Sequence, residues 1–256
     1  MSKHRLILLA RQGLSTSVLY NSLKDEFDIE AIILEKPVSM KEFLKKRIKT
    51  LGIWKVVGQI LFQLLVAKFL NLASSKRKKE ILEKYGLKDT PLPAEKVIGV
   101  PSVNSAECIS LLQKIKPELV IVNGTRIISK EILKAVPVKF VNIHAGITPK
   151  YRNVHGGYWA IVNNDIENCG VTVHLVDEGI DTGNIIYQQK ITITPKDNFA
   201  TYPVLQLAEG IIYLKKAIKD IFNNSMALKQ NNLESKLWYH PTIWQYIYYR
   251  LVHNKK

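Results

Sequence analysis

A chain of 256 residues with 46% apolar and 23% charged side chains can bury a core and is not a disordered polymer. Its net charge of +15 suits a nucleic acid, an anionic membrane surface or a phosphorylated substrate as partner, and equally a Lys-rich proteome. The two cysteines, Cys108 and Cys169, have no CxxC spacing, which argues against a disulfide framework and for buried free thiols in a reducing cytosol.

The N-terminal segment has a basic start and a short apolar run, but Arg11 to Thr16 follow without a small-residue cleavage pattern. Leu6 to Ala10 therefore reads as a first strand. Gly13 turns the chain, and Ser15 or Thr16 caps a helix to about Lys24. Ala31 to Leu34 reads as the second strand of a βαβ unit, the opening of a doubly wound sheet. Arg11 and Ser15 at this strand-to-helix turn could hold a phosphate, or the turn could be a plain connection. A lone glycine there is not a dinucleotide fingerprint.

From about residue 39 to 88 the pattern changes to a basic helical insert. Residues 41 to 84 hold twelve Lys and Arg against three Glu. The uncharged run Val56 to Ala67, between Lys55 and Lys68, is shorter than the roughly 20 residues of a spanning helix. Two helices are expected, lying on an anionic membrane surface, packing on a partner subunit, or covering the core as ordinary amphipathic helices. Val97 to Val100 and Leu119 to Val122 read as strands, with a helix over Ser105 to Lys116 between them. Ser129 caps the next helix. Phe140 to His144 is a strand broken by Gly146 and Pro149. His155-Gly-Gly157 reads as flexible, with Tyr158 and Trp159 opening a short helix. Val171 to Val176 reads as a further strand, Ile185 to Gln189 with Ile191 to Ile193 as a strand leaving the site, and Thr201 to Phe222 as a long helix. The division expected is a main domain over 1–222 and an aromatic, basic C-terminal extension over 223–256.

The chemistry gathers in two stretches. In an extended chain Asn142 and His144 project to one face, at the strand end where open α/β sheets bind ligands. Gly170 to Gly183 repeats the design, with Asp177, Glu178 and Asp181 among glycines. An imidazole can move a proton, an amide N–H can stabilise an oxyanion, and a carboxylate can orient the imidazole. That set suits transfer to an amine. There is no nucleophile elbow, HExxH or Walker loop.

These residues resemble the 10-formyltetrahydrofolate-dependent formyltransferase family. Asn142-Ile-His144 with Pro149-Lys-Tyr-Arg152 is similar to that family's Asn-x-His segment and its continuation. Gly170 to Gly183 resembles its second signature, and Asn123 to Ile128 its pterin-pocket strand end. The resemblance covers about residues 5 to 15 and 97 to 222. It implies an α/β, Rossmann-like, doubly wound and mostly parallel sheet, with the basic insert and short extension added. It also implies a catalytic triad of Asn142, His144 and Asp181, the last preferred over Asp177 because Thr182-Gly183 follows it. Gly124, Arg126, Ile127 and Ile128, with Val176, Asp177, Gly179 and Ile180, would hold the pterin of 10-formyltetrahydrofolate as formyl donor. A substrate amine would attack the formyl carbon directly through a tetrahedral intermediate, and no metal is implied.

The acceptor is chosen by elimination. The family's tRNA enzymes carry a further β-barrel domain, which the last thirty or so residues do not resemble, and the excess charge sits in the insert. The purine enzyme is shorter and has a phosphate turn richer in Gly and Asn. A nucleotide-linked amino sugar remains, with Tyr151, Arg152, His155, Gly156 and Tyr158 beside it and Arg11 and Ser15 at its phosphates. Glycinamide ribonucleotide, methionyl-tRNA and formyl-folate hydrolysis stay as alternatives. The expectations that follow are a small-molecule acceptor rather than a nucleic acid, a homodimer, and a cytoplasmic protein peripheral to the inner membrane face through residues 41–84. Such a contact would suit a membrane-associated polysaccharide pathway such as O-antigen synthesis.

Overall fold

The structure, a computed structural model, describes residues 4–255. The basic start Met1 to Lys3 and the tail residue Lys256 lie outside the described residues. β1 (Arg5–Ala10), α1 (Leu14–Leu23) and β2 (Asp28–Glu35) form the opening βαβ unit. The insert supplies α2 (Met40–Leu51), α3 (Ile53–Leu61), a π-turn over Phe62–Ala67, α4 (Lys68–Ala73) and α5 (Ser75–Lys84), before β3 (Val97–Val100). Then come α6 (Ala106–Ile115), β4 (Leu119–Asn123), α7 (Lys130–Ala135) and β5 (Lys139–His144). They are followed by β6 (Arg152–Asn153), α8 (Gly156–Val162), β7 (Gly170–Leu175) and β8 (Ile185–Lys190). α9 (Tyr202–Phe222), β9 (Leu237–Trp238) and α10 (Ile243–Val252) complete the order.

Seven strands make one sheet in the order β3-β2-β1-β4-β5-β7-β8. The first five are parallel, while β7 runs antiparallel to both β5 and β8. This is a Rossmann-like α/β sheet. The middles of its central strands, Leu6 to Ala10 and Leu119 to Val122, are apolar throughout because both faces are covered. In β1, Leu6, Leu8 and Ala10 join the cluster beneath α1 and α9, while Ile7 and Leu9 join the opposite cluster with Cys108 and Leu112 of α6. A third cluster ties the insert to the body: Phe62, Ala67 and Ile81 pack with Tyr158, Trp159, Tyr202 and Tyr246. Both cysteines are buried and free.

Three local expectations are corrected. The insert holds three helices, not two. α2 ends at Gly52, whose φ of 81° suits a residue without a Cβ, and a second break falls at Ser74. Between those breaks the helix runs unbroken through the π-turn from Ile53 to Ala73, 21 residues with a mean hydropathy of 1.7. By length and composition alone that is enough to cross a membrane, because Lys55 and Lys68, which bounded the shorter run, do not end the helix. Gly156 and Gly157 are buried at the start of α8 rather than flexible. A Cβ on Gly156 would lie 2.6 Å from the Ala145 carbonyl oxygen. Finally, α1 is capped by Gly13 without a side-chain bond, and the Thr16 hydroxyl turns back to the Arg11 carbonyl.

Candidate active site

Residues two apart on β5 share a face, so Asn142 and His144 emerge together where the strand ends. Antiparallel β7 sets His174 opposite Asn142 and Thr172 opposite His144. Asn142 Nδ2 donates to His174 Nε2 at 3.2 Å, and His174 Nδ1 donates to the Leu175 carbonyl at 2.7 Å. A proton on His174 Nδ1 meets the Leu175 contact, and one Asn142 amide hydrogen is left for another acceptor.

His144 is 5% exposed. Its Nε2 lies 2.6 Å from the Tyr151 carbonyl oxygen and its Nδ1 3.3 Å from Asp181 Oδ2. Burial pulls its pKa below the ordinary value, against the opposing charge of Asp181. A carbonyl can only accept, so in the neutral ring the proton sits on Nε2 and Nδ1 is the basic nitrogen. The Tyr151 contact depends on Gly146, where a Cβ would fall 2.2 Å from the Tyr151 oxygen and 2.8 Å from His144 Nε2.

Asp181 reaches the ring from the loop after β7, in the left-handed region at φ 50°. Burial acts to raise its pKa, but the imidazoles of His144 and His174 and the Asn153 N–H outweigh it and hold the carboxyl at about 2. Asn153 N donates to Oδ2 at 2.9 Å, and His174 Nε2 lies 3.7 Å from Oδ1. Asp177 is instead folded into its own loop, accepting from Thr182 Oγ1 at 2.7 Å and Gly179 N at 3.0 Å. Asn142, His144 and Asp181 are thus brought together, and His174 joins them. The sequence reading passed over His174, although strand alternation and an antiparallel β5–β7 pairing would have placed it opposite Asn142.

The residues read as a pterin site fall on two loops. Gly124 has φ 67° and open space where a Cβ would be. Ile127 is half-exposed and Ile128 buried. Arg126 donates from its backbone to Glu35 Oε1 at 2.8 Å and from Nε to Oε2 at 2.6 Å, so its side chain braces the loop. Lys130 and Glu178, 3.4 Å apart, link this loop to the one holding Val176, Asp177, Gly179 and Ile180. A flat heteroaromatic ring needs apolar walls and a few polar groups. The half-exposed Ile127, the half-buried Val176 and the unfilled space at Gly124 fit one.

On the acceptor side, Arg11 is exposed, and Ser15 Oγ accepts from Asn123 Nδ2 at 3.2 Å. Arg152 Nη1 donates to the Ile180 carbonyl at 3.3 Å, while its Nε is buried with no hydrogen-bond partner among the described residues. His155 Nε2 lies 2.8 Å from His240 Nδ1. The rings of Tyr151 and Tyr158 are not brought to the surface. Both are buried, with the Tyr151 hydroxyl donating to Asp165 at 2.8 Å, and Tyr151 offers the cluster its carbonyl. The C-terminal segment clamps this loop: β9 pairs with β6, Arg152 N donates to the Lys236 carbonyl at 3.1 Å, and Trp238 Nε1 donates to the Lys150 carbonyl at 2.9 Å.

The formyl transferase family profile matches residues 65–214. A methionyl-tRNA formyltransferase of Pelotomaculum thermopropionicum is 34% identical over 125 residues, 45% of this chain and 40% of that protein. One of Halothermothrix orenii is 31% identical over 162 residues, 63% of this chain and 48% of that protein. The chain therefore spans less than half the length of these relatives. Among solved structures, a sugar N-formyltransferase from a Shewanella species matches with a TM-score of 0.56 at 16% identity, over 92% of this chain and 76% of that one. A phosphoribosylglycinamide formyltransferase from Streptococcus pneumoniae matches with a TM-score of 0.54 at 18% identity, over 86% and 99%. At such identities the likeness is one of fold.

Proposed function

Because the chain belongs to the formyl transferase family, we propose that it transfers a formyl group from 10-formyltetrahydrofolate to the amine of a nucleotide-linked amino sugar. The donor supplies an activated formyl carbonyl, and Gly124, Ile127 and Val176 would hold its ring. The carrying observation is the convergence of Asn142, His144 and Asp181 from two separate segments.

Each group then has a task its geometry suits. An attacking amine must shed a proton. His144 Nδ1 takes it, because Nε2–H is fixed on the Tyr151 carbonyl, and as the formyl carbon's bond to the donor nitrogen breaks, the imidazolium would return the proton to that departing nitrogen. Asp181, ionised beside Nδ1, stabilises the imidazolium that results. The remaining Asn142 amide hydrogen stabilises the oxygen on which negative charge develops. The half-buried positive charge of Arg152 supports an anionic acceptor such as a nucleotide diphosphate. The named methionyl-tRNA relatives favour a second reading, an aminoacyl-tRNA acceptor.

The test offers the purified chain 10-formyltetrahydrofolate with amino-sugar nucleotides, glycinamide ribonucleotide, methionyl-tRNA and water as competing acceptors. Turnover with an amino-sugar nucleotide, reduced by about two orders of magnitude or more in His144→Ala and Asp181→Ala, is expected. Turnover confined to methionyl-tRNA or glycinamide ribonucleotide would discard the sugar. Unchanged turnover in both variants would discard the site.

A further inference from the structure

The helix from Ile53 to Ala73 has two unlike faces. The inward face is committed to the protein. Val56, Phe62 and Ala67 are buried, and Phe62 meets Phe199 edge-on at 4.9 Å between ring centroids. Gly58 lies under Trp244 of α10, so close that a Cβ would approach the ring to 2.3 Å. Gln59, 3% exposed, accepts from Arg47 Nε at 2.9 Å and donates to the His240 carbonyl at 2.7 Å. The outward face stands open. Trp54, Leu64, Leu65, Phe69 and Leu72 are between 61% and 78% exposed, and only 28% of the most apolar stretch is buried. Trp244, itself 48% exposed, joins this face to α10, where Leu251 is 78% exposed. Monomeric soluble surfaces seldom gather apolar side chains in this way.

We propose that this face docks on an anionic lipid bilayer, with the helix lying in the interfacial plane and not crossing it. The occupant is chosen by charge and side-chain type. Residues 41 to 84 carry twelve Lys and Arg against three Glu, and α2, which packs against α3, has Lys41, Lys45, Lys46 and Lys49 and no buried residue. An apolar helix row with indole rings, flanked by lysines, matches the boundary between acyl chains and anionic headgroups. A second copy of the chain would bring two such positive surfaces together, and their repulsion opposes that contact. A spanning helix would have to give up the buried bonds of Gln59 and the seat of Phe62, at a cost no bilayer contact replaces. The inference does not depend on which amine is formylated. It is connected to the candidate site, however, since Gln63 Nε2 lies 2.7 Å from His240 Nδ1, which in turn contacts His155.

The full chain, prepared without detergent, is sedimented with vesicles of phosphatidylcholine alone or mixed with phosphatidylglycerol. Sedimentation with the anionic vesicles, weakened by salt and extractable by alkaline carbonate, is expected. Lys45→Glu with Lys46→Glu should weaken partitioning by about tenfold or more. Trp54→Ser with Leu65→Ser should weaken it similarly while the melting temperature holds, because these side chains are exposed. No binding to anionic vesicles would overturn the proposal. So would resistance to carbonate extraction, which marks a spanning helix, or a solution dimer broken by the same substitutions in a chain that ignores vesicles.

Discussion

His144 and Asp181 share one contact, and burial acts on them with opposite outcomes. The imidazole is pushed towards its neutral form, while its neighbours keep the carboxyl ionised. Asp181 is held at about 2 against an ordinary 3.8, so the fold favours the carboxylate over the acid. Its contribution, about 2 kcal/mol, is fully present above pH 3.8 and is lost as the pH falls through about 2. Urea denaturation of the wild type and of Asp181→Asn should therefore differ by about that amount at pH 5 and converge in stronger acid; a constant difference would refute the linkage. Gly146→Ala tests the other side of the ring. Its Cβ would meet the Tyr151 carbonyl at 2.2 Å, so that carbonyl must shift and release Nε2. Loss of formyl transfer by about tenfold or more, with the far-ultraviolet circular dichroism spectrum retained, is the expected outcome. At this scale the pair Asn142 and His144 was legible from strand alternation, and Asp181 from its motif. His174 was not, because its role needs the cross-strand pairing and not its own segment. Nor was the burial of Tyr151 and Tyr158, since an aromatic residue beside a site reads the same whether its ring faces the ligand or the core.

At the scale of elements, the π-turn after α3 and the segment before α10 meet in a small polar junction at the edge of an apolar cluster. His240 Nδ1 lies 2.7 Å from Gln63 Nε2, whose N–H it can accept, and 2.8 Å from His155 Nε2. Burial, aided by the Arg47 charge, lowers His240 to about 4, and burial with the neighbouring His240 lowers His155 well below its ordinary value. Both depressions mean that the unfolded chain takes up protons first. Stability held above the ordinary value of 6.5 is then lost progressively as the pH falls towards about 4. For His240 the loss is about 3 kcal/mol. The urea midpoint should drop between pH 7.5 and pH 5, and His240→Gln should flatten that drop; an unchanged slope would mean the imidazole is not the titrating group. The sequence showed the strands of the seven-stranded sheet and α9 well, because their apolar runs are long and bounded by turn residues, but not β6 or β9. The insert was legible in its charge and less so in its architecture. Lys55 and Lys68 concealed the length of the central helix, and nothing local announced that residues 236 to 240 would return to pair with the loop at Arg152.

For the whole molecule, the charge of +15 is unevenly distributed, with most of the excess in the insert and little at the catalytic cluster. Two roles for positive charge can therefore be separated. The field of the whole chain should speed the encounter with an anionic acceptor, and such steering weakens with salt. A half-buried guanidinium such as that of Arg152 acts at contact distance and is screened less. Raising ionic strength from low to physiological values should lower kcat/KM for a nucleotide-linked amine several-fold and leave kcat unchanged. Lys45→Glu with Lys46→Glu should reproduce that loss at low salt and add little at high salt. Arg152→Gln should raise KM by about tenfold at either salt, because it removes a half-buried guanidinium charge at the candidate acceptor side. Steady-state kinetics of the three proteins at two ionic strengths decide the matter. If KM responds to salt and not to Arg152, the acceptor is attracted by the surface and held elsewhere. If neither changes it, the acceptor is uncharged and the nucleotide reading fails while the formyl chemistry stands.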